Sequence, residues 1–203
     1  MILLVFFGVF FFTMIIGAPI FFSLGLSALA LLYNKGMLAP QLVVQRMFAG
    51  VDSFPMMAIP FFMLAGALMD TGGISSRLVR FSNYLVGWIQ GGLGHVVVLA
   101  SCFFAGITGS AVADASAIGS TLIPLMKKRG FPVLFSATVV AASGVVGPII
   151  PPSIPMVLYG VMAGVSVGAL FMGGFIPGIM IGLGLMAVVY WQAKRNGYPR
   201  EAV

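Results

Sequence analysis

No charged residue occurs between Arg129 and Lys194, yet Pro148, Pro151, Pro152 and Pro155 stand in the middle of that stretch. An α-helix rises about 1.5 Å per residue and the hydrocarbon core of a bilayer is about 30 Å thick, so roughly 20 apolar residues make one crossing. The stretch is long enough for at least two crossings, and its prolines forbid a continuous helix through the first. Further uncharged runs cover residues 1–34, 53–69 and 81–113. Only 7% of the 203 residues are charged and 61% are hydrophobic, where a soluble domain carries roughly 25% charge. These features exclude a soluble globular protein and predict an all-α, polytopic membrane protein partnered by the lipid bilayer.

The formal net charge of +6 does not point to nucleic acid. Arg77 with Arg80, Lys127-Lys128-Arg129 and Lys194-Arg195 sit in short clusters at the ends of apolar runs, the pattern of positive-inside anchoring. Cys102 is alone, so neither a disulfide framework nor a metal-type cysteine spacing exists. The N-terminus, MILLVFFGVFFF, lacks the positive region of a signal peptide and is expected to stay as a membrane segment.

Residues 2–33 would be about 48 Å long as one helix, more than the bilayer needs. Gly17-Ala18-Pro19 is the natural break, giving one kinked helix or, as expected here, two short helices folded back on each other. Lys35 to Ser53 mixes Lys35, Gln41, Gln45, Arg46 and Asp52 with apolar residues and is predicted to lie along an interface. Phe54 to Met69 is again apolar, and Asp70-Thr71-Gly72-Gly73 stops it. Ile74, Leu78, Phe81, Leu85 and Trp88 then recur at spacings of four and three, an amphipathic stripe suited to a helix in the membrane surface.

All three basic clusters can face one side only if the segment between the first two enters and leaves on that side. The chain from Leu93 to Ile107 and from Ala111 to Met126 is therefore predicted to form a re-entrant hairpin, each arm about 22 Å long. The organisation follows: 1–70 scaffold-type helices with an interfacial segment, 71–92 an amphipathic helix, 93–129 the hairpin, 130–195 a broken transmembrane helix and its successor, and 196–203 a tail.

The hairpin tip contains Thr108, Gly109 and Ser110. Non-helical backbone at membrane depth is tolerated only when buried in protein or lining a wet cavity, so these residues are expected to face a site. Ser110 also suits an N-cap of the returning arm, and the two roles are compatible. Asp114 is the only acid within a long apolar run, which makes it a candidate for binding or tuning a cation, or for capping and buried hydrogen bonding. Ala113, Ala117 and Thr121, beside Ala115 and Gly119, form a small-residue face expected to pack against another helix.

The proline-rich break is the second candidate. In a helix its prolines would strip the carbonyls of Gly144, Gly147, Pro148 and Pro151 of their usual donors, and free carbonyls at the midplane are cation ligands. One half-helix ends here with its negative pole, and another begins near Ser153 with its positive pole. A hairpin paired with a discontinuous helix is the sequence pointer to a secondary-transporter binding site.

The segments 52–75 (DSFPMMAIPFFMLAGALMDTGGIS), 104–126 (FAGITGSAVADASAIGSTLIPLM) and 147–178 (GPIIPPSIPMVLYGVMAGVSVGALFMGGFIPG) resemble the large membrane subunit of tripartite ATP-independent periplasmic (TRAP) transporters. The resemblance implies a sodium-driven elevator that imports small organic acids such as C4-dicarboxylates or sugar acids. It implies no cofactor beyond Na+ as coupling ion. The implied setting is the bacterial inner membrane, and the implied partners are a small membrane subunit and a periplasmic substrate-binding protein. The family's cation site would fall on Thr108, Gly109 and Ser110 with Ser143, Gly144, Val146 and Pro148, mostly through backbone carbonyls. Gly147, Pro151, Pro152 and Ser153 would form the break beside the substrate, and Asp114 would tune the site. The family is built of two inverted repeats, and this sequence carries one. It therefore resembles the N-terminal half, expected to need a second half for transport.

Other classes make different demands. A structural membrane subunit or inactive fragment would show no stabilisation by Na+. An intramembrane serine protease would need Ser143 and His95 as a hydrogen-bonded pair and would leave the four prolines unexplained. A channel would lack a charged ring for its filter.

Overall fold

The computed structural model describes residues 2–36 and 40–201, and those residues form ten α-helices with no strand among them. They divide into two compact units, one ending at Ser53 and the other beginning at Phe54.

In the first unit, α1 (Ile2–Ile15) and α2 (Ile20–Asn34) pack side by side, and α3 covers Pro40–Val51. The break at Gly17-Ala18-Pro19 is where the sequence puts it. Gly17 takes φ +90°, open to glycine without penalty, and Pro19 starts the next helix, where its missing N–H goes unnoticed. Residues 2–33 are thus two helices. Their apolar side chains point mostly outward, with Ile15 84% and Leu4 77% exposed, while Ser23 and Ser27 are the buried ones.

The second unit is built around one helix. It comprises α4 (Phe54–Thr71), α5 (Ile74–Val86), α6 (Gly92–Thr108), α7 (Ala111–Lys128), α8 (Val133–Gly144), α9 (Ile154–Ala163) and α10 (Val167–Asn196). Helix α6 touches α4, α5, α7, α8 and α10, and it is apolar on all sides, the signature of a helix enclosed by others. Val96, Val97, Val98 and Ala100 are fully buried, and Ile118, Leu122, Met126, Phe135 and Val189 close around them. Among the described residues two helices, α4 and α10, are long and apolar enough to cross a membrane.

Helices α6 and α7 form the expected helical hairpin, with Gly109-Ser110 at its tip. The small-residue face of α7 splits in two. Ala115 and Gly119 pack on α8, where a Cβ at Gly119 would stand 3.2 Å from Val140, whereas Ala113 and Thr121 remain exposed on the other side.

The amphipathic stripe falls on α5 and lies mostly on its outer face. Of its members Leu78 packs on the core, together with Val79 and Val86 and beside the buried Ser82, but Phe81, Leu85 and Trp88 are 50%, 46% and 62% exposed. Apolar residues occupy more of α5 than one stripe, and the face carrying the small Ser82 is the one that fits closely on α6. The larger side chains are left outward, with Phe81 still reaching Phe103 at 5.8 Å between ring centres.

The tail is not loose. Residues Gly197 to Glu201 fold across the hairpin base: Gly91 N–H donates to Pro199 O (3.2 Å), Glu201 N–H donates to Gly87 O (3.1 Å), and Tyr198 lies on Phe131 and Phe135. Arg129 and Glu201 pair at 3.5 Å. Gly91 and Gly92 make the crossing possible. A Cβ at Gly91 would collide with Ala193, and one at Gly92 with the carbonyl of Gly87.

Candidate functional site

Helix α8 ends at Gly144 and α9 begins at Ile154, so the predicted break spans residues 145–153. Ser153 is buried and caps α9, accepting from Met156 N–H at 3.3 Å and donating to Pro148 O at 2.6 Å. Ser110 caps α7 in the same way, accepting from Ala113 N–H at 3.5 Å. Two positive helix ends are therefore presented beside each other, one on the hairpin and one after the break.

Glycines let these two irregular segments meet. Gly109 takes φ +60°, and a Cβ there would stand 2.6 Å from Pro152 O and 3.1 Å from Ile154 N. A Cβ at Gly147 would stand 2.5 Å from Asp114 Oδ2 and 3.3 Å from Ala111 N, and one at Gly144 would stand 3.0 Å from Ala111 O. The tip thus lies backbone to backbone against the break. Thr108, Gly109, Ser110 and Asp114 are gathered with Gly144, Gly147, Pro152 and Ser153.

Asp114 is the most constrained polar group of this cluster. It is completely buried, and Thr108 Oγ1 donates to its Oδ1 at 2.5 Å, while Oδ2 has no partner. A buried oxygen without a donor is destabilising by about 1–3 kcal/mol, so its presence calls for a ligand or a function. Asp114 does not cap α7, since Ser110 does that.

The expectation of four bare carbonyls holds for two of them. Gly144 O accepts from Gly147 N–H at 3.1 Å and Pro148 O accepts from Ser153 Oγ. Val146 O accepts from Ile149 and Ile150, and Ser143 O accepts from Val146. The break is a series of tight turns rather than an interrupted straight helix, so three-residue bonds recover donors that prolines remove. Among the described residues, no hydrogen bond reaches the carbonyls of Gly147 or Pro151. A carbonyl already engaged keeps a second lone pair, so the occupied ones still have coordinating capacity. The donor set is all hard oxygen, which fits a hard cation and not a soft metal. Among the described residues no cluster of His, Cys, Asp and Glu forms a metal site of the usual kind.

The serine and histidine pair of a protease is not assembled. Ser143 Oγ donates to Val139 O at 2.7 Å within its own helix, and His95 is buried at the hairpin base, roughly 20 Å along α6 from the tip.

Sequence reasoning overlooked the wall behind the break. Gly174, Gly178 and Gly182 are buried on α10, and Cβ atoms there would meet Ile149 O, Ile150 and Cys102 respectively. Their four-residue spacing, which lets helices approach closely, was the available signal. Also missed was the other side of the tip, where Gly66 of α4 lies against Ile107 and Thr108.

The family described as "Tripartite ATP-independent periplasmic transporter, DctM component" matches residues 7–202. The chain is 47% identical over 197 residues to the isethionate TRAP transporter permease protein DctMQ of Oleidesulfovibrio alaskensis, covering 97% of this chain and 31% of that protein. It is 44% identical to the 2,3-diketo-L-gulonate TRAP transporter large permease protein YiaN of Escherichia coli, covering 92% of this chain and 44% of the relative. With the C4-dicarboxylate TRAP transporter large permease protein DctM of Rhodobacter capsulatus it shares 40% identity over 97% of this chain and 48% of the relative. The chain thus spans 31–48% of the length of these curated relatives. All three are named as transporter proteins, not as enzymes.

Proposed function

From the premise that this chain belongs to the DctM family of TRAP transporters, a family of integral membrane permeases, we propose that it forms the first half of a sodium-coupled importer of small organic acids. The single observation that carries this reading is the meeting of the hairpin tip with the helix break around the unpartnered Asp114 Oδ2. Thr108, Gly109 and Ser110, with Ser143, Gly144, Val146 and Pro148, would hold Na+ through backbone and hydroxyl oxygens, and Asp114 would balance its charge. The two helix N-termini at Ser110 and Ser153 would favour the carboxylate of a substrate. Gly147, Pro151, Pro152 and Ser153 would form the substrate side of the break.

In this reading the hairpin is re-entrant, α5 lies along the membrane as a connecting arm, and the hairpin with α8–α10 moves as the carrying body of an elevator. The bacterial inner membrane is the proposed location. A second half of the permease, a small membrane subunit and a periplasmic binding protein complete the system. The relatives' names include C4-dicarboxylate, 2,3-diketo-L-gulonate and isethionate, all small organic anions, which supports that substrate class.

The test is uptake into proteoliposomes carrying the complete permease and its small subunit, with binding protein outside and a panel of C4-dicarboxylates and sugar acids as substrates. An inward Na+ gradient is expected to drive accumulation that an equal K+ gradient does not. Equal uptake under both gradients would overturn sodium coupling.

A further inference from the structure

Two adjoining cavities of about 290 and 380 Å³ run along the side of α7 that faces away from α8, and they share Asp70, Ser75, Phe104 and Ala117. One end reaches Thr108 and Ser110 at the hairpin tip. The other end is lined by Ser76, Ser120 and Thr121, towards the end of the molecule that carries Lys127 and Lys128. The distance along α7 from Ser110 to Ser120 is about 15 Å.

Asp70 stands in the last turn of α4, where the helix dipole disfavours a carboxylate by about 0.3–1 kcal/mol. Nothing local compensates. Among the described residues its side chain makes no ion pair and no hydrogen bond, the sole ion pair being Arg129 with Glu201, and Gly73, not Asp70, is the N-cap of α5. Three of the hydroxyls along the cavities have spent their protons on nearby backbone carbonyls. Ser76 Oγ donates to Gly73 O, and Ser120 and Thr121 both donate to Ala117 O, at 2.9, 3.0 and 3.3 Å. What they turn to the cavity is lone pairs. A largely apolar lining with a few hydroxyls, one unpaired carboxylate and no basic side chain favours cations over anions.

We propose that this groove is a cation route between the aqueous face near Ser120 and Thr121 and the hairpin tip, with Asp70, where the two cavities join, as the residue that concentrates the monovalent cation along it. By the positive-inside pattern of Arg77, Arg80 and Lys127 that face is cytoplasmic, so the groove is the path by which the coupling ion leaves. The proposal rests on the reading of the chain as a cation-coupled permease.

The experiment uses the complete permease with its small subunit, with Cys102→Ala and a single new cysteine at Ala117 or, as a second probe position, at Ala113. Each is reacted with a trimethylammonium-ethyl and with a sulfonato-ethyl methanethiosulfonate. The cationic reagent is expected to react about tenfold faster than the anionic one, relative to a free thiol, and Asp70→Asn to erase that preference while Asp70→Glu keeps it. In uptake, Asp70→Asn is expected to raise the half-saturating Na+ concentration several-fold with maximal rate preserved. Thiols inert to both reagents, faster anionic labelling, or a preference that survives Asp70→Asn would each overturn the route. Labelling needs no coupling, so Na+-independent uptake would sink the transport reading alone.

Discussion

The base and the tip of the same hairpin are built by opposite rules. At the base, Val96 and Val97 of α6 are enclosed by Ile118, Leu122, Met126 and Phe135, and the tail strap closes it with two backbone hydrogen bonds, an aromatic cluster and an ion pair. At the tip, glycines replace side chains, two helix ends meet with only a small apolar cluster of Ala105, Val146 and Ile150 behind them, and a buried carboxylate oxygen is left without a donor. The base spends its residues on burial, which is non-directional and tolerant of exchange. The tip holds polar backbone in fixed positions, which gives little stability of its own and depends on the base to hold it.

That contrast can be broken from either side. The largest effect is expected of Gly109→Ala, which puts a Cβ at a left-handed φ and within 2.6 Å of Pro152 O. Uptake by the complete permease should fall on the order of a hundredfold, as for other small misplacements at a site, with membrane insertion intact by protease mapping. Asp114→Asn should raise the half-saturating Na+ concentration by about tenfold or more, equivalent to about 1.4 kcal/mol, while thermal unfolding without Na+ moves little. At the base the order reverses. Gly91→Val, whose side chain would overlap Ala193, should lower stability by about 1–3 kcal/mol in thermal unfolding, and the protein that does fold should keep its Na+ affinity. Tyr198→Ala, which strips the strap of its contact with Phe131 and Phe135, should also destabilise by about 1–3 kcal/mol without altering substrate selectivity. Glu201→Gln should do least, under about 1 kcal/mol, because Arg129 is 57% exposed and the pair is screened.

The tip was the more legible of the two in the sequence. Its glycines, the capping Ser110 and Ser153 and the cluster from Pro148 to Pro155 act through local backbone rules, which can be read without knowing the fold. The boundaries of α6 and α7 and the start of α9 followed within a residue or two. The base was hidden because it depends on contacts between segments far apart in the chain. Nothing in Gly197 to Glu201 announces that Pro199 will meet Gly91 or that Tyr198 will cover Phe135. The same holds for α5, whose docking face is decided by the shape of α6 and not by its own stripe. At the break, the prolines identified the missing donors, but not the tight turns that return Gly147 N–H to Gly144 and Ser153 Oγ to Pro148.

The most direct measurement is a thermal-unfolding titration of the complete permease in detergent, with NaCl against choline chloride at constant ionic strength, for the wild type and Asp114→Asn. A ligand that binds only the folded state raises stability in proportion to the logarithm of its concentration above its dissociation constant. The expected result is a saturable, Na+-specific rise in the wild type that Asp114→Asn abolishes or moves to at least about tenfold higher Na+. No difference between Na+ and choline in the wild type, or an unchanged Na+ response in the variant, would contradict a cation site between hairpin tip and helix break.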